Sequence, residues 1–167
     1  MKYCFLLLAI TVTGAAFAQD FSYLENIELE TSADFTPEND ANAIKAADYL
    51  FKTPIDKKNN NRKFCYSYLS RYAAKAPAVI ITIDPYWGVV TKGNEEMLQM
   101  VLGIWIRTAL INKNAIKEEI EKKVFTEIYK YAKAGNNVKK TDQIKALTDA
   151  GDKAEVTQWF DKVRNEK

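Results

Sequence analysis

Glu95-Glu96-Met97-Leu98-Gln99-Met100-Val101-Leu102-Gly103-Ile104-Trp105-Ile106-Arg107-Thr108-Ala109-Leu110-Ile111-Asn112 is the stretch whose reading decides the fold. Placed on a helical wheel at about 100° per residue, Glu95, Glu96, Gln99, Gly103 and Arg107 fall in one narrow stripe. Almost all of the remaining circumference is apolar. A helix of that kind has to be covered on several sides, so it is expected to be the central helix of a helical domain, with the polar stripe turned to solvent. Gly103 lies on the stripe, where its polar neighbours point to open space. The competing reading is a second backbone crossing closely at that position. A membrane span fits this stretch poorly, because Gln99 and Arg107 interrupt it and a span needs ~20 predominantly apolar residues.

The first 18 residues read as a signal peptide. Lys2 supplies the positive end, an apolar run follows from Tyr3 to Val12, and Ala16-Phe17-Ala18 has the small-x-small pattern of a cleavage site. Cleavage after Ala18 is expected, leaving Gln19 first and sending the chain to the periplasm or outside the cell. Cys4 leaves with the signal, so Cys65 stands alone and no internal disulfide is available. The amphipathic spacing around Cys65 places it on a buried face. The formal charge of +2 falls by the one charge of Lys2 to +1. That balance gives no general attraction to nucleic acid or anionic membrane. The remaining chain, about 150 residues, is long enough for one cored domain.

Residues 19–36 are acidic, with scattered aromatic and aliphatic side chains, and read as an extended N-terminal arm laid over a single helical domain, 37–167. Thr36-Pro37 starts a helix and Thr53-Pro54 ends it. A second helix runs from about Asn61 to Ala76. Val79 to Ile83 is β-branched, Asp84-Pro85-Tyr86-Trp87-Gly88 has turn chemistry, and Val89-Val90-Thr91 is a possible return strand. The segment near 78–91 is therefore expected to be extended or a hairpin. Asn94 is the expected N-cap of the central helix. Ile116, Ile120, Val124 and Ile128 mark an amphipathic helix whose polar face carries Lys117, Glu118, Glu121, Lys122 and Lys130. Gly135-Asn136-Asn137 closes it. Thr141 caps a short helix, and Asp152-Lys153-Ala154-Glu155 resembles a capping box opening the last one. The fold class is all-α: about six helices in antiparallel pairs, bundle-like or in a related αα arrangement, without a tetratricopeptide repeat signature.

Two passages carry a resemblance. They are Ala43-Ile44-Lys45-Ala46-Ala47-Asp48-Tyr49-Leu50-Phe51-Lys52-Thr53-Pro54-Ile55-Asp56, followed by Asn60-Asn61-Arg62, and Thr91-Lys92-Gly93-Asn94-Glu95-Glu96-Met97-Leu98. With the signal peptide and the helix order, the chain resembles small secreted helical proteins of Bacteroidetes-type bacteria. The resemblance implies export and an all-α fold, and it carries no site residues.

The chain contains 0 His, which removes Ser-His-Asp and Cys-His catalysis and the usual zinc sites. One mature cysteine removes a CxxC redox pair, and no glycine-rich phosphate loop is present. No metal or cofactor is expected. Carboxylate chemistry survives, with Asp84, Glu95 and Glu96 as the set to consider, although the two glutamates also complement a helix dipole. Tyr86 and Trp87, with Asp84, are the candidate binding residues, since loop aromatics stack on sugars or anchor peptides; packing inward is the alternative. Lys57, Lys58, Arg62, Lys63, Arg71 and Lys75 form either a basic strip opposing the acidic arm or a solvated helix face. The functional expectation is a non-catalytic exported protein that binds or scaffolds an envelope or extracellular protein or glycan. The alternative is a carboxylate-dependent hydrolase acting on glycans.

Overall fold

The computed structural model describes residues 19–77, 79, 81, 84–149 and 153–165. Among them are seven α-helices: α1 Pro37–Lys52, α2 Asn60–Lys75, α3 Pro85–Val90, α4 Glu95–Ile111, α5 Lys117–Lys133, α6 Asp142–Asp149 and α7 Lys153–Asn165. The chain is all-α, in a bundle-like arrangement. Local chemistry sets many of the helix ends. Thr36 Oγ1 accepts the Asn39 amide at 3.3 Å, with Pro37 at the first helical position. The Asn59 side chain accepts the Arg62 amide at 3.2 Å, and Thr141 Oγ1 accepts the Ile144 amide at 3.2 Å. Gly135 at φ 88°, Asn136 at 31° and Asn137 at 59° carry the left-handed turn after α5, where glycine and asparagine pay least for positive φ.

Helix α4 is the centre. It packs against α1, α2, α3 and α5. Met97, Met100, Val101, Ile104, Trp105 and Ile106 are all buried, and each large side chain of this kind contributes about 1.5–3 kcal/mol when removed from water. The polar stripe, however, is only partly turned to solvent. Gly103 is buried, and a Cβ built on it would lie 3.2 Å from Leu69 Cδ1 and 3.6 Å from Ala47 Cβ. Glycine is there because α1 and α2 cross α4 at that point. Along the same stripe, Glu96 is drawn to Arg62 of α2 and Arg107 donates to Asp48 of α1 at 2.6 Å. Polar residues mark this face because its charges are paired across helix interfaces; only Glu95 and Gln99 stand exposed. The Asn94 side chain likewise does not cap α4. It exchanges two hydrogen bonds with the Lys139 backbone, at 3.0 and 2.8 Å, tying the start of α4 to the segment before α6.

The stretch expected to turn and return as a strand is helical instead. Pro85 occupies the first position of α3, where its fixed φ suits a helix, and Tyr86, Trp87 and Val90 share the buried side. Val79 and Ile81 are in no strand; residues 78, 80, 82 and 83 lie outside the described residues, as do residues 1–18, expected to be a signal peptide, and Asp152 of the expected capping box. The N-terminal arm folds into two short 3-10 turns, Ser22–Asn26 and Ser32–Asp34, and buries Phe21, Leu24 and Leu29. Arg71 donates to the Leu24 and Ile27 carbonyls, both at 2.6 Å. The Asn61 side chain holds the Phe21 amide and the Gln19 carbonyl, and Lys75 pairs with Glu30. Arg71 and Lys75 of the basic strip thus engage the arm, whereas Lys57, Lys58 and Lys63 are exposed and Arg62 is buried.

Candidate functional site

Asp84, Tyr86 and Trp87 sit where α3 meets α5 and α7. Tyr86 is 4% exposed and Trp87 0%, so neither ring is presented to solvent. They belong to an aromatic cluster with Phe125 and Phe160, with ring centroids 5.5 Å apart for Trp87–Phe125 and 4.0 Å for Phe125–Phe160. Asp84 accepts from Lys117 Nζ at 2.8 Å, which raises the pKa of that lysine. Behind this pair lies a residue that the sequence placed on a solvated face. Glu121 is completely buried, with Lys117 Nζ at 3.7 Å and Arg164 Nη1 at 3.8 Å, and neither carboxylate oxygen accepts a well-aligned hydrogen bond among the described residues. Burial, and then the Glu121 carboxylate, push the Tyr86 hydroxyl pKa up. The signal for Glu121 was present in the spacing: Phe125, Ile128 and Ala132 follow it at four, seven and eleven residues, and all three are buried.

The carboxylates considered for hydrolysis do not gather around one cavity. Glu95 and Glu96 line a depression of about 420 Å³ with Asp56, Lys57, Arg62, Lys63, Tyr66 and Gln99, to which Asp84 does not contribute. Arg62, 1% exposed, organises the wall of that depression. Its Nη1 donates to the Leu50 carbonyl at 2.9 Å and the Thr53 carbonyl at 2.7 Å, the orphan acceptors at the end of α1. Its Nη2 donates to the Tyr66 hydroxyl at 2.6 Å, and Nε lies 3.4 Å from Glu96 Oε2. This is a structural clamp, and sequence reading missed it by grouping Arg62 with the surface lysines. Burial pushes the Cys65 thiol up to about 12, which keeps it protonated and unreactive at neutral pH.

A groove between α1, α4 and α5 differs from these sites. Its volume is about 370 Å³, within the range of small-ligand pockets. Phe51, Ile104, Tyr131 and Ala134 supply apolar lining, and Asp48, Lys52, Arg107, Glu127, Lys130 and Asn136 supply polar groups. Every one of these side chains stands on a helix or, for Ala134 and Asn136, on the turn that closes α5. The Phe51 and Tyr131 rings meet edge to face at 5.7 Å, and the Tyr131 hydroxyl donates to the Thr53 carbonyl at 2.7 Å, fixing that wall. A larger groove of about 710 Å³ runs between α5 and α7, but Phe125 and Phe160 in its floor are each only 3% exposed and already serve the core.

No protein-family model, curated protein or solved structure matches this chain. The site is therefore read from its own geometry. Among the described residues no group of three metal-ligating side chains could hold an ion, and no helix is long and apolar enough to cross a membrane.

Proposed function

We propose that the protein is an exported, non-catalytic binding protein whose ligand, an envelope or extracellular glycan or protein component, is taken at the groove between α1, α4 and α5. One observation carries this reading: the groove combines an apolar floor with ionised groups on its rim, on rigid elements around the central helix. Several chemically capable groups elsewhere are committed to the fold. Glu96 holds Arg62, Asp84 holds Lys117, and Cys65 is buried. Export rests on the n-region, apolar core and cleavage pattern of residues 1–18.

In-cell photocrosslinking tests the reading. A photoreactive residue replacing Lys52, on the rim, should capture an envelope component repeatedly. The same residue replacing Lys63, which lines the separate depression beside Glu96, should not. Capture from Lys63 and none from Lys52 would refute the assignment of the groove. A protein that remains in the cytoplasm with residues 1–18 attached would refute export.

A further inference from the structure

Arg107 is held by one edge. Its Nε donates to Asp48 Oδ1 at 2.6 Å, with the side chain about one-third exposed, and its two terminal nitrogens donate to no acceptor among the described residues. Asp48 therefore fixes the guanidinium plane while leaving an edge of donors open beside the groove that Arg107 lines. A guanidinium oriented in this way matches a carboxylate by two parallel charge-assisted hydrogen bonds. The charge count around the groove agrees. Lys52, Arg107 and Lys130 face Asp48 and Glu127, leaving one positive charge in excess. Lys130 lies 3.7 Å from Glu127, which is also paired with Lys123 at 3.1 Å, so Lys130 is the less committed of the two lysines.

The rest of the lining narrows the ligand further. Asp48, Glu127 and Asn136 offer acceptors suited to hydroxyl groups, and the half-buried Phe51 and the exposed Ala134 offer an apolar surface for the face of a ring. We propose that this groove binds a polyhydroxylated monocarboxylate, a uronic acid, with its carboxylate on Arg107 and its ring over Phe51 and Ala134. The proposal rests on the binding reading above and gives it a ligand chemistry. Asp48 acts as a positioning residue, Lys130 as a second cation on the rim.

Calorimetric titration with sodium galacturonate, with neutral galactose and with trigalacturonate tests this. Galacturonate should bind, and galactose should bind at least about tenfold more weakly, since it cannot make the charge-assisted contact. Arg107→Gln should weaken galacturonate by at least about tenfold. Lys130→Glu, a change at an exposed position that leaves the core untouched, should weaken it severalfold and guards against an unfolded Arg107 variant. Trigalacturonate binding more tightly than the monomer assigns the acid to a glycan chain; equal or weaker binding assigns it to a free sugar acid. Equal affinity for galactose, no loss in either variant, or no binding of galacturonate would overturn the proposal. Crosslinking at Lys52 in that last case leaves the binding reading standing and removes only the ligand chemistry, whereas failure of both removes the reading itself.

Discussion

Gly103→Ala measures how closely the helices cross at the centre of the fold. In an exposed helix the change would gain about 1 kcal/mol, the difference in helix propensity between glycine and alanine. Here the new methyl meets Leu69 Cδ1 at 3.2 Å, with Ala47 Cβ at 3.6 Å and Ala47 Cα at 3.8 Å. Leu69 is 1% exposed and has nowhere to retreat without disturbing its own neighbours. Overpacking of this kind costs about 1–3 kcal/mol, so the net expectation is a loss of about 1 kcal/mol. Gly103→Val adds two further methyl groups against the α1 backbone and should lose more than about 3 kcal/mol. Urea denaturation with an unchanged slope gives the values directly. The contact with Leu69 can be isolated. In a Leu69→Val background the crowding atom is gone, so Gly103→Ala should become neutral or stabilising. A gain of about 1 kcal/mol for Gly103→Ala in the wild-type background would refute the crossing and return the stripe to solvent.

Arg62→Met leaves the Leu50 carbonyl at the end of α1 without its donor, the Thr53 carbonyl with Tyr131 alone, and Glu96 without its cation; a loss of about 3–5 kcal/mol in urea midpoints is expected, and a loss below about 1 kcal/mol would show the clamp to be dispensable. Glu121→Gln removes a buried charge whose oxygens have no well-aligned hydrogen bond, while its partners Lys117 and Arg164 stay solvated, so stability should hold or rise by up to about 1 kcal/mol; a loss above about 3 kcal/mol would mean the ion pairs outweigh the desolvation. The Cys65 thiol is raised from 9.0 to about 12 in the fold, so the unfolded chain releases this proton first as pH rises. The stabilisation is complete below the unfolded value and is lost as pH climbs through the folded one, at up to about 1.4 kcal/mol per pH unit. Cys65→Ala should make stability fall less steeply between pH 9 and 10, and an unchanged slope would contradict the burial of the thiol.

The fold was legible where periodicity and capping agree. The helices built on Ala43–Leu50, on the central apolar stretch and on Ile120–Ile128 all stand where their spacing put them, and the positive-φ turn at 135–137 follows from glycine and asparagine. Polarity misled where a polar residue was paired across a helix interface. Glu96, Arg107 and Arg62 read as solvated because their partners lie 34, 59 and 12 residues away in Arg62, Asp48 and Leu50, and a wheel sees only one helix. Glu121 read as solvated because its charge outweighed the apolar spacing that follows it. Gly103 read as neutral because a close crossing is a property of two other helices. Asp84-Pro85 has the same chemistry at a turn as at a helix start, and only the buried aromatics after it decide for the helix. The groove was not legible at all, since α1, α4 and α5 assemble it from residues that look unremarkable separately.

Amide chemical-shift mapping of the isotopically labelled chain with sodium galacturonate tests the central claim most directly. Binding at the groove should move the amides of Asp48, Phe51, Lys52, Arg107, Glu127 and Lys130 together along one saturable curve, and leave those of Glu95 and Glu96 in place. Shifts centred on Glu95 and Glu96, shifts scattered over the exposed lysines, or a spectrum that does not change at saturating ligand would contradict the account.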